Sequence, residues 1–255
     1  MHVRILCLCL LLAIASVPAT AKKNAAASND ESLLNAAAIC DVDMSRSLVS
    51  RGANPNQLLD VFGSSALMQA VEQAVTGGQD VCATEVDVLL DGGGDPNVQN
   101  SNGKSAMSIA ARWEVAPEIM DALLAHKGNP DIQMHVTRLK GQSVTTEEAA
   151  MEGTTPLMIM ATDTSLELQL SSEKFPDHER ALHKLQAILK KANPNLQDSA
   201  GRTALMIAAA HRNAYIVHHL LEAGANAALK DKSGETASDY ARRASQPDIV
   251  KLLSN

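Results

Sequence analysis

The histidines and carboxylates of this 255-residue chain are the first side chains to test for chemistry. His178-Glu179-Arg180-Ala181-Leu182-His183 brings together the groups of a helical zinc site, whose pattern is His-Glu-x-x-His. Its second imidazole comes one residue late. On a helix, positions i and i+5 diverge by about 140°, so the two rings cannot meet one metal ion. His218 and His219 are adjacent and diverge as well. Asp95-x-Asn97-x-Gln99 begins like a calcium loop, yet Asn100 stands where that loop needs glycine and no glutamate closes it. Beyond residue 21 there is no Cys-x-x-Cys pair, phosphate-cradling glycine loop or Gly-x-Ser-x-Gly turn. The sequence therefore assigns no catalytic residue, no metal ligand and no cofactor. An enzyme with its site in inserted segments is the rival class.

A recurring phrase organises the elements around these residues. Gly201-Arg202-Thr203-Ala204 and Gly234-Glu235-Thr236-Ala237 stand 33 residues apart, and a fixed period of that size is the mark of a solenoid. With the Leu of the Ala-Leu-Met phrase as ruler, units start near Leu33, Leu67, Met107, Leu157, Leu205 and Ser238. Closing turns align independently, as in Gly52-Ala53-Asn54-Pro55-Asn56, Gly94-Asp95-Pro96-Asn97 and Ala192-Asn193-Pro194-Asn195. Glycine tolerates the left-handed conformation that ends a helix, and the residue before proline is pushed to an extended one. Each unit then reads as helix, turn, helix and extended finger. In the second helices, Leu182, Leu185, Ile188 and Leu189 share one stripe, as do Val217, Leu220 and Leu221, and Ile249, Leu252 and Leu253. Extra sequence falls near 76–84, 134–152 and 164–177.

The N-terminus sets the expected compartment. After Arg4, residues 5–17 carry no charge, and Ala19-Thr20-Ala21 offers small residues for cleavage, which predicts a signal peptide over 1–21. A span of the bilayer needs roughly 20 apolar residues, so no stable membrane anchor is expected after cleavage. Residues 22–30 read as a flexible linker and 31–255 as the repeat domain. Loss of 1–21 removes one Arg and no acid, which leaves 21 basic against 29 acidic side chains and a charge of −8. Such a surface repels phosphate backbones and argues against nucleic acid as a partner. No Asn-x-Ser/Thr acceptor follows the leader, which leans away from a glycosylating route and toward a periplasmic or secreted bacterial location.

The chain resembles ankyrin-repeat proteins, whose signature is Thr-Pro-Leu-His-x-Ala in 33-residue units. Thr155-Pro156-Leu157-Met158 matches it with Met in place of His, and Thr203-Ala204-Leu205-Met206 and Ser105-Ala106-Met107-Ser108 match less strictly. The resemblance covers roughly 31–255. It implies an all-α solenoid of about six stacked helix-turn-helix units joined by β-hairpin fingers. The implied function is noncatalytic binding of a protein partner by a chain that is monomeric when free. A narrower form of that function is an immunity or chaperone-like inhibitor of one periplasmic enzyme.

In such proteins the residues beside the finger glycine and at the end of the first helix face the concave side. Carried onto this chain, those are Phe62, Ser64, Ser101, Asn102, Lys104, Arg112, Trp113, Thr154, Arg202 and His211. Stacking also puts Cys40, just past the first helix of unit one, at the same edge as Cys82, in the expanded inter-helix loop of unit two. Export favours a disulfide between them, while two separate semi-buried thiols remain the alternative.

Overall fold

The computed structural model describes residues 19–60, 62–76, 79–112, 115–137, 150–163 and 178–254. The apolar leader segment, Trp113, residues 138–149 of the 134–152 insertion and the stretch 164–177 lie outside the described residues. Twelve helices are described, and they pair in chain order: α1 (Ala19–Ala38) with α2 (Val42–Ser50), α3 (Ala66–Thr76) with α4 (Gln79–Asp91), and α5 (Ala106–Ala110) with α6 (Pro117–Ala125). The last three pairs are α7 (Pro156–Thr162) with α8 (His178–Leu189), α9 (Ala204–Ala210) with α10 (Ala214–Glu222), and α11 (Ala237–Arg243) with α12 (Pro247–Leu252).

The first helices of successive pairs pack against each other from α1 to α11, and the second helices form a parallel row behind them. Alanine-rich first helices permit this close approach, and Leu33, Leu67, Met107, Leu157 and Leu205 are all 1% exposed or less. A hydroxyl starts each first helix after the first. Ser65, Ser105, Thr155, Thr203 and Thr236 each accept a hydrogen bond from the backbone N–H three residues on, which satisfies one of the orphan donors of a helix start.

The closing turns carry a second repeat. Within each turn the first Asn or Asp accepts from the backbone two residues on: Asn54 from Asn56, Asp95 from Asn97, Asn129 from Asp131, Asn193 from Asn195. Between units the second one accepts from the next turn. The N–H groups of Asp95, Asn129, Asn193 and Asn226 donate to Asn56, Asn97, Asp131 and Asn195 at 2.6–2.7 Å. Asp30 begins this ladder by accepting from Asn54 N, and Ala228, with no polar side chain, takes the equivalent place at its end. Where the residue is Asn, its amide also donates to the end of the next second helix: Asn56 to Gly93, Asn97 to Lys127, Asn195 to Gly224.

Four expectations change in the structure. Residues 22–30 are not a loose linker but part of α1; the segment is alanine-rich, and alanine is the strongest helix former. The extra residues near 76–84 are spent on longer helices, since α3 and α4 have 11 and 13 residues while α9 and α10 have 7 and 9. Cys82 accordingly sits inside α4, where it forms a disulfide with Cys40 across a Cα separation of 5.2 Å. The fingers hold no strand among the described residues. Their necks close on single backbone bonds, such as Asn100 N to Lys104 O and Asp198 N to Arg202 O.

A fifth difference concerns the stripe on α8. Leu185 and Ile188 are buried as expected, but Leu182 and Leu189 are only partly covered, and Lys184 is 1% exposed. Its ammonium donates to the carbonyls of Arg112 and Val115, while Lys191 donates to Leu124 O at the end of α6. Lysine at a helix C-terminus satisfies orphan carbonyls and complements the helix dipole.

Candidate protein-binding groove

Each finger tip is shaped by a side chain folded onto its own loop. Asp60, Asn100, Asp198 and Asp231 present Oδ1 to the backbone N–H groups two and four residues on, at 2.7–3.0 Å. Burial pushes the Asp60 carboxyl up, but hydrogen bonds from Ser64, Phe62 and Gln69 outweigh it and hold it below the usual range. The same balance, with Tyr240 as the leading donor, lowers Asp231. Met134 occupies this place in the third finger and has no side-chain oxygen to accept these bonds. Glu152 substitutes for it across the loop, with Oε2 accepting from Val136 N and Oε1 meeting His135 Nδ1 at 2.9 Å. Those bonds lower the Glu152 pKa, the His135 contact most.

Neighbouring tips are linked through the backbone. Ser101 N donates to Phe62 O, Thr137 N to Ser101 O, Ser199 N to Glu152 O and Lys232 N to Ala200 O. A row of tips fixed in this way faces the row of first helices, and the space between them is a groove of three adjoining hollows. The first, about 380 Å³, lies between Asp60, Phe62, Asn102 and Lys104 on the fingers and Met68, Gln69 and Glu72 on α3. The second, about 230 Å³, shares Glu72, Lys104 and Ile109 with it and adds Arg112, Met134 and Met151. The third, about 200 Å³, shares Met151 and Ile159 with the second and runs past Thr154, Arg202 and His211 to Tyr240.

The groove is apolar along its middle and charged at its edges. Glu72 meets Arg112 at 3.4 Å across α3 and the end of α5. Arg202 is held by the fully covered Asp198 carboxylate at 2.7 Å, and Tyr240 donates to Asp231 while Arg243 lies 4.5 Å over its ring. These contacts fix polar groups in place before any partner arrives, which lowers the ordering cost of binding.

Of the residues carried over from the resemblance, Phe62, Asn102, Lys104, Arg112, Arg202 and His211 line the groove, and Phe62 is 54% exposed. Ser64 and Thr154 also border it, yet they are 8% and 9% exposed and offer only an edge. Ser101 is turned to its neighbour, with its hydroxyl donating to Phe62 O. Sequence reasoning missed Asp60, Glu72, Met151, Ile159 and Tyr240. Asp60 could have been found from its place two and four residues before Phe62 and Ser64. Met151 could not, because it lies within the inserted segment 134–152 and has no counterpart in the other units. Among the described residues, no group of three or more His, Cys, Asp or Glu side chains is placed to hold a metal ion.

Comparison with known proteins agrees with this geometry. Residues 168–255 match the family described as ankyrin repeats, in three copies. The chain carries ankyrin repeats. A mouse relative, ankyrin repeat and SAM domain-containing protein 6, is 39% identical over 108 residues, which is 41% of this chain and 10% of the mouse protein. The chain thus spans about a tenth of the length of that relative. Among solved structures, the ankyrin repeat protein EF0377 superposes with a TM-score of 0.63 at 23% identity, over 89% of this chain and 98% of its own. A chain of the complex between the Bd0816 predatory endopeptidase of Bdellovibrio bacteriovorus and immunity protein Bd3460 gives 0.61 at 26% identity, over 88% of this chain and 96% of that one. The fold is an ankyrin-repeat solenoid over nearly the whole described chain.

Proposed function

We propose that this ankyrin-repeat chain is a noncatalytic binding protein that is exported, works in the periplasm or outside the cell, and is monomeric until it meets its protein partner. The groove carries the reading. It is continuous over three hollows, apolar in the middle, edged by fixed charges and entered by the exposed Phe62. Aromatic and Arg anchors in a pocket rimmed by polar groups are where binding energy concentrates. The expected test is a double substitution, Phe62→Ala with Arg112→Ala, which should weaken a purified partner by about 2 kcal/mol or more, roughly 30-fold. Unchanged affinity for the folded double variant moves the site off the groove.

Export rests on the leader pattern of residues 1–21. None of the described helices is long and apolar enough to cross a membrane. Cell fractionation with N-terminal sequencing tests it, and an intact Met1 on the cytoplasmic protein would end the proposal. A narrower reading, inhibition of one periplasmic enzyme, is favoured by the likeness to a chain of an endopeptidase–immunity protein complex. It predicts that the purified chain suppresses the activity of its captured partner at a 1:1 ratio.

A further inference from the structure

The joint between the first two helix pairs contains a group that the rest of the fold does not use. Glu85 on α4 is fully buried, and among the described residues neither carboxylate oxygen has a hydrogen-bond partner. Among the described side chains, every other charged group on the elements around it is committed elsewhere or exposed. On α1, Asp30 accepts from Asn54 and Glu31 is exposed. On α3, Glu72 meets Arg112; on α6, Asp121 meets His183 and Glu118 is exposed. On α4 itself, Asp91 meets His126 and Asp87 is exposed. On α2, Asp43 and Arg46 are exposed. Among the described residues, the groups that do face Glu85 are Ser45 and Asp41, both from the α2 side, and no cation is among them. Burial pushes the Glu85 carboxyl up; the nearby Ser45 hydroxyl, without making a hydrogen bond of good geometry, eases this, and the Asp41 charge adds to it.

One turn before Glu85 on the same helix, Cys82 ties α4 to Cys40, the residue that joins α1 to α2. A buried carboxylate without a partner is costly to ionise, so above the acidic range this joint is pushed apart by Glu85 and held together by the disulfide. We propose that the N-terminal helix pair is a redox-gated clasp, closed over Glu85 by the Cys40–Cys82 bond and released when a dithiol reduces that bond while the carboxyl ionises. The exchange balances: the dithiol gives two electrons and two protons, becomes a disulfide, and leaves Cys40 and Cys82 as thiols. Both cysteines are nearly covered, at 7% and 4%, so attack requires the turn at 39–41 to open. That turn holds Cys40 in the left-handed region at φ 55° and leaves Ile39 74% exposed. Release also frees the finger that carries Asp60 and Phe62, the first wall of the groove. The clasp does not depend on what the groove binds.

The sign of the pH effect follows from linkage. A carboxyl whose docked pKa lies above its undocked one keeps the joint closed at low pH, and the stabilisation is lost as pH rises toward the docked value. Hydrogen exchange of the full chain, corrected for intrinsic rates, reads it at pH 5.0 and pH 7.5 with and without a water-soluble phosphine, which reduces at both pH values. In the oxidised protein, amides of α1 and α2 should be protected alike at both. In the reduced protein their opening should rise about tenfold for each pH unit over which the docked carboxyl keeps its proton, with α9–α12 unchanged. Glu85→Gln and the apolar isostere Glu85→Met should each stay closed after reduction at both pH values. Equal protection of the reduced wild type at both pH values overturns the clasp. So does a pH response that survives in both variants, or opening that spreads to α9–α12.

Discussion

Asn97 is the residue where the turn ladder can be taken apart one bond at a time. Its Oδ1 accepts from Asn129 N at 2.7 Å, and its amide donates to Lys127 O at 3.1 Å, at the end of α6. Asp131 holds the same place one unit later and makes only the first of these bonds, to Asn193 N at 2.7 Å. A carboxylate has no proton to offer the Lys191 carbonyl that corresponds to Lys127. A net intramolecular hydrogen bond contributes about 0.5–1.5 kcal/mol, and these are exposed, so the lower half of that range applies. Asn97→Asp, which keeps the acceptor and loses the donor, should cost about 0.5–1 kcal/mol. Asn97→Ala loses both and should cost about 1–2 kcal/mol. Asp131→Asn should gain about 0.5–1 kcal/mol by adding the missing bond. Urea unfolding followed by circular dichroism reads the series, and with m near 3 kcal/mol/M, Asn97→Ala moves the midpoint down by about 0.5 M at unchanged m. An Asn97→Ala midpoint within 0.1 M of wild type refutes the ladder as a source of stability. Equal losses for Asn97→Asp and Asn97→Ala refute the assignment of two separable bonds.

Other outcomes follow from single sites. Gly103 has φ 74° and a Cβ there would lie 2.7 Å from His135 N, whereas Gly234 has φ 83° and open space; Gly103→Ala should cost more than 2 kcal/mol and Gly234→Ala about 1 kcal/mol by thermal unfolding, and equal costs would contradict the finger contact. Lys184→Met keeps the aliphatic stem but takes the side-chain donor from the Val115 carbonyl and leaves the Arg112 carbonyl only the Val115 N–H at 3.3 Å, so urea unfolding should show a loss of about 1–3 kcal/mol, and a neutral result would mean that the Val115 carbonyl finds another donor. Glu152 has a lowered pKa, so its contribution is present above the ordinary glutamate range of about 4.3 and lost as pH falls through its folded value. Glu152→Gln should therefore flatten the fall in urea midpoint below about pH 4.5, and an identical acid limb would show that the His135 contact adds nothing.

The helix pairs were legible because their signals are local. A hydroxyl three residues before a free N–H and a glycine at a left-handed helix end act within a few residues, so Thr203 and Gly224 announce their roles in the sequence. The Asn-Pro-Asn turns were half legible. Their internal bonds span two residues, but their inter-unit partners lie 31–62 residues away, beyond any local pattern. The extra residues of unit two were read as a loop because a period count records only their number. The structure spends them on additional helical turns, which packing rewards and a count cannot see. Lys184 was passed over because a charged residue ordinarily marks a solvated face, whereas here it serves helix ends in the preceding unit. Phe62, Lys104 and Arg202 line the groove because the backbone sets their places, whereas Ser64 and Thr154, next to the turn hydrogen bonds, are nearly covered.

If the groove is the binding site, a protein partner lies between the finger tips and the first helices. Site-specific photo-crosslinking in the cells that make the protein tests it most directly. A benzophenone side chain is placed in turn at Phe62, at Met151 and, on the opposite row, at the exposed Glu118 of α6. Positions 62 and 151 should give one protein adduct of the same mass, and position 118 none. An adduct from 118 alone, with 62 and 151 silent, would contradict it.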